Sequence, residues 1–127
     1  MKKEKVIIIG STGSIGTQTI DVIRTVGDKE IIGLACKNDI KKLFKQVKLV
    51  GAKYVAIYDE KAALDFEEIC KKNKVKVKIF SGLEGLEKIS SLKEADVVMV
   101  SVVGMIGIRP TIAAIKARKT ASVIHNF

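Results

Sequence analysis

The sequence predicts a doubly wound α/β domain, a mostly parallel sheet with helices on both faces. Two observations carry this. Apolar runs of strand length alternate with stretches of helical period along the 127 residues. The first run, Val6-Ile7-Ile8-Ile9, leads straight into Gly10-Ser11-Thr12-Gly13-Ser14-Ile15-Gly16 and then a helical pattern. Glycines let a backbone turn tightly and approach a ligand without a Cβ in the way. The free N–H groups and positive dipole end of the following helix then face an anion. Strand, glycine turn and helix in that order make a dinucleotide-binding turn, here G-x-x-G-x-x-G rather than G-x-G-x-x-G. The spacing alone is a weak signal, and its placement strengthens it.

The elements follow in order. After the turn, Ile15, Thr19, Val22, Ile23 and Val26 recur at helical spacing, and Gly27 ends the helix. Ile31 to Ala35 is the second strand. Ile40, Leu43, Phe44, Val47 and Val50 form the next helical stripe, closed by Gly51. Tyr54 to Tyr58 reads as the third strand, followed by a helix with Ala62, Phe66, Ile69 and Cys70. Val75 to Phe80 alternates apolar residues with lysine, the pattern of an exposed or edge strand. A short helix carries Leu83, Leu86 and Ile89. Val97 to Val103 is a continuous apolar run, as in a strand covered on both faces. Pro110 sits where a last helix can begin, continued by Ile112 and Ile115. Thr120 to Ile124 offers a sixth strand. Six strands and five helices with short connections make one Rossmann-type domain over residues 1–127. The glycine turn on the first strand favours the order 3-2-1-4-5-6.

Composition narrows the partners. The net charge of +9 comes from 23 basic residues, 20 of them lysines spread from Lys2 to Lys119 rather than massed in a stripe. Six aromatics and no stacking motif argue against nucleic acid, while a polyanionic cofactor benefits from the same field. No apolar run reaches the length of a membrane span, and Met1-Lys2-Lys3-Glu4 leads into a strand rather than a signal peptide. Cys36 and Cys70 lie far apart beside a single histidine, which reads as two cytosolic thiols and a cytoplasmic protein.

The tip of the second strand bears on which dinucleotide fits. About twenty residues past the turn, an NAD site places a carboxylate that accepts hydrogen bonds from the ribose 2′-hydroxyl. Here the segment is Leu34-Ala35-Cys36-Lys37-Asn38, with no carboxylate at the tip. Lys37 would attract a 2′-phosphate and Asn38 could hydrogen-bond it, although Lys37 is also one of many surface lysines. Asp39 more plausibly starts the next helix. NADP(H) is favoured over NAD(H).

At this point the chain resembles a known family. Gly10 to Gly16, followed by Thr19-Ile20-Asp21-Val22-Ile23, is similar to the amino-terminal signature of the 1-deoxy-D-xylulose 5-phosphate reductoisomerases. Lys37-Asn38 matches the family's second cofactor contact. Val103-Gly104, Gly107, Pro110-Thr111, Ala113-Ala114-Ile115 and Lys119 fit its pattern V-G-x-x-G-x-x-P-T-x-A-A-I-x-x-x-K. Dihydrodipicolinate reductase and homoserine dehydrogenase have a similar first turn but would not be expected to share all three motifs.

The resemblance implies NADPH as cofactor. Thr12, Gly13, Ser14 and Ile15 would bind the pyrophosphate and neighbouring ribose, with plain helix capping as the other reading of Thr12 and Ser14. Cys36 stands where many members have a small residue, and would keep a backbone contact. Lys37 and Asn38 would take the 2′-phosphate. Gly104 and Gly107 would shape the loop near the cofactor, or serve helix–strand packing. The family converts 1-deoxy-D-xylulose 5-phosphate to 2-C-methyl-D-erythritol 4-phosphate in non-mevalonate isoprenoid synthesis. It needs a divalent metal, magnesium or manganese, held by acidic residues downstream of this segment.

The resemblance therefore identifies an NADPH-binding domain without the catalytic and metal domain, inactive alone. It contributes no catalytic residue and no metal ligand, and a homodimer is compatible with it. The cofactor domain of another NADP-dependent dehydrogenase, or a non-catalytic nucleotide-binding module, are the alternatives. Ala117-Arg118-Lys119 departs from the family's Ala-Gly-Lys, and Ile124-His125-Asn126-Phe127 from its Ala-Asn-Lys-Glu. His125 is thus not expected to be catalytic. So abrupt a change is what a frame shift near codon 118 would produce, leaving the end frayed or paired with another copy.

Overall fold

A computed structural model describes the backbone of residues 2–101, 105–117 and 119–123. Strands β1 (Glu4–Ile9), β2 (Lys29–Cys36), β3 (Tyr54–Ile57), β4 (Lys78–Ser81), β5 (Val97–Val100) and β6 (Thr120–Val123) alternate with five helices. These are α1 (Ser14–Val26), α2 (Ile40–Val50), α3 (Glu60–Lys72), α4 (Gly82–Ser90) and α5 (Met105–Lys116). The strands form one sheet in the order β4-β3-β2-β1-β5-β6, with every neighbouring pair parallel.

That order differs from the expected 3-2-1-4-5-6 at one step. The chain moves outward through β2, β3 and β4, then α4 carries it back so that β5 lies beside β1. The reason is burial. Val97, Val98 and Val100 are buried, as a central strand requires, whereas β4 has no buried residue and takes the edge. The lysine alternation before and within β4 and the order suggested by the glycine turn disagree about this strand. The structure follows the alternation.

Two apolar layers sandwich the sheet. On one face Val6, Ile8, Leu34 and Val55 meet Ile20 and Ile23 of α1, Leu43 and Val47 of α2, and Phe66 of α3. On the other, Ile7, Ile9, Ile32 and Val98 meet Leu86 and Ile89 of α4 and Ala114 of α5. The alternation along β1, odd residues to one layer and even to the other, is the period-two geometry of a strand. Gly33 serves this packing: a Cβ there would lie 2.5 Å from Ile7 Cδ1.

Local signals set the helix ends. Gly27 and Gly51 follow α1 and α2 with φ of 76° and 70°, the left-handed C-cap that favours glycine. Asp39 and Asp59 cap α2 and α3 by accepting from the amides of Lys42 and Ala62. Asp39 is thus the helix start expected of it.

Three expectations need correction. The buried stripe of α1 is Gly16, Ile20 and Ile23, while Val22 and Val26 are 61% and 64% exposed. All four apolar side chains fit a helical period, and only the direction of the sheet selects between them. Helix α5 begins at Met105, so Pro110 lies inside it instead of starting it. Proline there has no amide to give the carbonyl four residues back. Pro110 and Ala114 face inward, whereas Ile112 and Ile115 are exposed. β5 also ends at Val100, three residues before the expected end; Val103 and Ile124 lie outside the described residues.

The α1 stripe gives a direct test. Ile20→Ala should lower the unfolding free energy by about 2–5 kcal/mol, whereas Val22→Thr should stay within about 0.5 kcal/mol of the parent. Urea denaturation of both variants measures this. Equal losses would mean that α1 is rotated from the orientation described.

Candidate cofactor site

β1 ends at Ile9, and the chain turns at Gly10 with φ of 86°, where a Cβ would be strained. The turn is tied to the next strand. The amides of Gly10 and Ser11 both donate to the Ala35 carbonyl near the tip of β2, at 2.8 and 3.0 Å. Helix α1 then starts at Ser14 with Gly13 as its N-cap, so the capping position has no side chain. The amides at such a helix start, with the dipole behind them, suit a phosphate.

Gly16 fixes how closely α1 approaches the turn. A Cβ there would stand 2.0 Å from the Gly10 carbonyl oxygen and 2.7 Å from Ser11 Cα. Both are backbone atoms, so no rotamer relieves the clash. At Gly13 the nearest atom to an added Cβ is the Gly10 oxygen at 3.6 Å, an ordinary contact. The two glycines therefore differ in kind. Gly16 is required by packing, while Gly13 keeps the mouth of the helix open.

Three polar side chains hold the turn from three elements. Thr17 Oγ1 donates to the Gly13 carbonyl at 2.7 Å and leans on the Ser11 carbonyl at 3.4 Å. Ser101, just past β5, donates its amide to the Ile9 carbonyl at 2.9 Å. Its hydroxyl lies 2.8 Å from the same oxygen and 3.2 Å from that of Gly10. Gln46, on α2, donates from Nε2 to the Ser11 carbonyl at 2.8 Å and is buried. Sequence reasoning found none of the three. Ser101 falls within the apolar run from Val97 to Val103, which hides it as a strand residue. Gln46 had a signal: it is the one polar residue on the buried face of α2, beside Leu43 and Val47.

The other predicted residues lie at the tip of β2. Cys36 is its last residue and is buried, while Lys37 and Asn38 are exposed just beyond. The tip is fastened to β3, because the amides of Tyr58 and Asp59 donate to the Cys36 and Lys37 carbonyls at 3.0 Å each. Asp39, next to Asn38 in the chain, and Asp59, whose amide bonds the tip, are engaged in capping the next helices. Burial first, then the charge of Asp39, pushes the Cys36 thiol up to about 12. It stays a protonated thiol at neutral pH and offers no nucleophile. Its backbone is also unstrained: Lys74 is the non-glycine residue with positive φ among the described residues.

Thr12, Gly13, Ser14 and Ile15 thus stand at the C-terminal end of β1, with Cys36, Lys37 and Asn38 at the same end of the neighbouring β2. Between β1 and β5 the chain changes direction across the sheet, the switch point at which open α/β sheets leave a crevice. Gly107 falls inside α5 rather than in a loop. Gly104 and His125 lie outside the described residues.

The model of the 1-deoxy-D-xylulose 5-phosphate reductoisomerase family matches residues 6–124. The match runs six residues beyond Arg118, where the sequence departs from the family's Ala-Gly-Lys. A 1-deoxy-D-xylulose 5-phosphate reductoisomerase of Clostridium botulinum (strain Alaska E43 / Type E3) is 43% identical over 123 residues. One from Thermodesulfovibrio yellowstonii is also 43% identical over 123 residues. Each alignment covers 96% of this chain but only 32% and 31% of the relative, so the chain spans about a third of their length. Among solved structures, a DOX-P reductoisomerase in complex with magnesium superposes with a TM-score of 0.90 at 26% identity. That superposition covers 98% of this chain and 31% of the other. The Zymomonas mobilis reductoisomerase in complex with NADPH gives 0.88 at 29% identity, covering 98% and 32%.

The contrast between the glycines is measurable. Gly16→Ala should cost about 1–3 kcal/mol or more, as overpacking against fixed backbone does. Gly13→Ser, which adds a good N-cap without a clash, should leave stability unchanged or slightly raised. Thermal unfolding of the two variants would show a fall in midpoint for the first only. A Gly16→Ala variant as stable as the parent would refute the close approach.

Proposed function

The chain belongs to the 1-deoxy-D-xylulose 5-phosphate reductoisomerase family, and from that premise we propose that residues 1–127 are its NADPH-binding domain. One observation carries the reading. The open, glycine-walled start of α1 follows a turn fastened by hydrogen bonds to a strand tip that presents Lys37, with Asp39 and Asp59 turned to the caps of the next helices. In this reading the amides and hydroxyls at Thr12, Gly13, Ser14 and Ile15 hold the pyrophosphate and ribose. Cys36 contributes backbone, and Lys37 and Asn38 receive the 2′-phosphate. The residues fit the cofactor: Gly13 and Ser14 are exposed at the mouth of the helix, and the helix start provides donors for an anion.

When bound, NADPH supplies a hydride to the substrate. The chain's own part is to bind and orient the cofactor at the β1–β5 crevice. The whole protein's proposed activity is conversion of 1-deoxy-D-xylulose 5-phosphate to 2-C-methyl-D-erythritol 4-phosphate, with a phosphorylated sugar as substrate and a homodimer as its assembly. Among the described residues no three His, Cys, Asp or Glu side chains gather where they could hold a metal ion. They do not fit a magnesium or manganese centre. Among the described residues no helix is long and apolar enough to cross a membrane. A cytoplasmic location completes the proposal, and neither nucleic acid nor membrane is a partner in it.

Calorimetric titration with NADPH and NADH tests the reading. A charge-assisted contact to phosphate contributes about 1.5–3 kcal/mol, so NADPH should bind about tenfold more tightly or better. Lys37→Ala should erase most of that difference. Equal affinities in the parent, or a preference that survives Lys37→Ala, would remove the role given to Lys37.

The 127-residue chain alone is expected to show no NADPH oxidation dependent on 1-deoxy-D-xylulose 5-phosphate, with or without added magnesium or manganese. A spectrophotometric assay at 340 nm, the reduced nicotinamide absorbance, decides it, and measurable turnover would place the catalytic groups within this chain.

A further inference from the structure

Ser11 Oγ and Gln46 Oε1 are the two buried side-chain atoms without a hydrogen-bond partner among the described residues. The two residues that carry them meet through other atoms, Gln46 Nε2 donating to the Ser11 carbonyl across 35 residues of chain. Burial of a polar atom without a partner is unfavourable, and a plain apolar contact would hold α2 against the sheet without it. Leu43 and Val47, on either side of Gln46, already do so. The carboxamide is therefore an unexpected choice if its task is only to pack.

Its place in the fold suggests what else it does. Helix α2 is capped by Asp39, directly after Lys37 and Asn38, so Gln46 is the seventh residue of the helix that follows the β2 tip. That is about 10 Å of rigid rod at 1.5 Å per residue. One end of the β2–α2 unit is joined to the glycine turn at the Ala35 carbonyl, which accepts from Gly10 and Ser11. β2 is paired with β1 and β3, and its tip is fastened by the amides of Tyr58 and Asp59. Gln46 adds the contact from α2 to the turn itself, at the Ser11 carbonyl, so that turn, tip and α2 are held as one unit. The residues that would take the 2′-phosphate are thereby set at one distance from the helix start that would take the pyrophosphate.

We propose that Gln46 is a positioning residue which, through the Ser11 carbonyl, aligns the Lys37–Asn38 tip with the start of α1 and so sets the preference for a 2′-phosphorylated dinucleotide. The proposal rests on the reading of the chain as an NADPH-binding domain. It gives Gln46 no contact with the cofactor. Its effect should fall on a ligand that spans both ends of the site. NADPH does so, while NADH lacks the phosphate and uses the helix start without Lys37.

The experiment titrates the 127-residue chain with NADPH and with NADH, using the parent, Gln46→Met, Lys37→Ala and the double variant Lys37→Ala/Gln46→Met. Methionine keeps the length and removes the donor together with the unpartnered acceptor. Gln46→Leu, close in size and without a donor, is the second variant should methionine fold poorly. The expected result is a tenfold or greater loss of NADPH affinity in Gln46→Met, with NADH affinity changed less than threefold and the unfolding midpoint held. The double variant should bind NADPH within twofold of Lys37→Ala, because both changes remove one contact. Equal weakening of both cofactors, unchanged NADPH affinity, strictly additive losses, or failure of both Gln46 variants to fold would each overturn the proposal and leave Gln46 a packing residue. A parent chain that binds neither cofactor would overturn the NADPH-binding reading itself, and this proposal with it.

Discussion

The contact on which the site depends is the close approach of Gly16 to the backbone of Gly10 and Ser11. An added Cβ would lie 2.0 Å from a carbonyl oxygen, so α1 can rest on the turn only because Gly16 has none. From that approach follow the angle of α1 over β1 and the burial of Ile20 and Ile23 one and two turns later. The helix start is also held within reach of the β2 tip. Moving α1 outward by the width of a methyl group would loosen the first apolar layer and open the turn together.

The turn itself is held by polar contacts rather than apolar ones. Four elements send donors to its carbonyls or accept from its amides: β2 through Ala35, α1 through Thr17, α2 through Gln46, and the end of β5 through Ser101. A loop buried against a sheet must satisfy its backbone groups within the protein. This one does so with partners from both sides of the switch point. The result is a rigid floor whose upper side, at Gly13 and Ser14, is exposed. Rigidity with an open mouth is the condition for binding a phosphate without paying to order the loop.

The charge of the chain acts at a different level. Its surface ion pairs, such as Lys29 with Glu4 at 3.3 Å and Lys71 with Glu67 at 3.4 Å, contribute little to stability. The excess of +9 acts instead as a field that draws polyanions to the molecule. In the proposed reading, discrimination between such polyanions belongs to the β2 tip. There Asp39 and Asp59 are tied up in helix caps, and Lys37 faces solvent with its backbone fastened to β3.

Features set by short-range chemistry were legible in the sequence. The glycine turn, the C-caps at Gly27 and Gly51, the N-cap at Asp39 and the edge character of the strand with alternating lysines each depend on a few adjacent residues. The residues proposed for the cofactor, Thr12 to Ile15 and Cys36 to Asn38, each sit in one contiguous segment, at the C-terminal ends of β1 and β2. Only the tertiary structure decided that β5, not β4, lies beside β1. It also chose Ile20 and Ile23 over Val22 and Val26, set Pro110 within α5, and joined Gln46 and Ser101 to the turn. These outcomes depend on groups 35 to 92 residues apart, or on which way a helix faces once its neighbours are in place. A helical period tells that a face is apolar but not what it will meet, and a lone glutamine in an apolar stripe gains its meaning from the carbonyl it reaches.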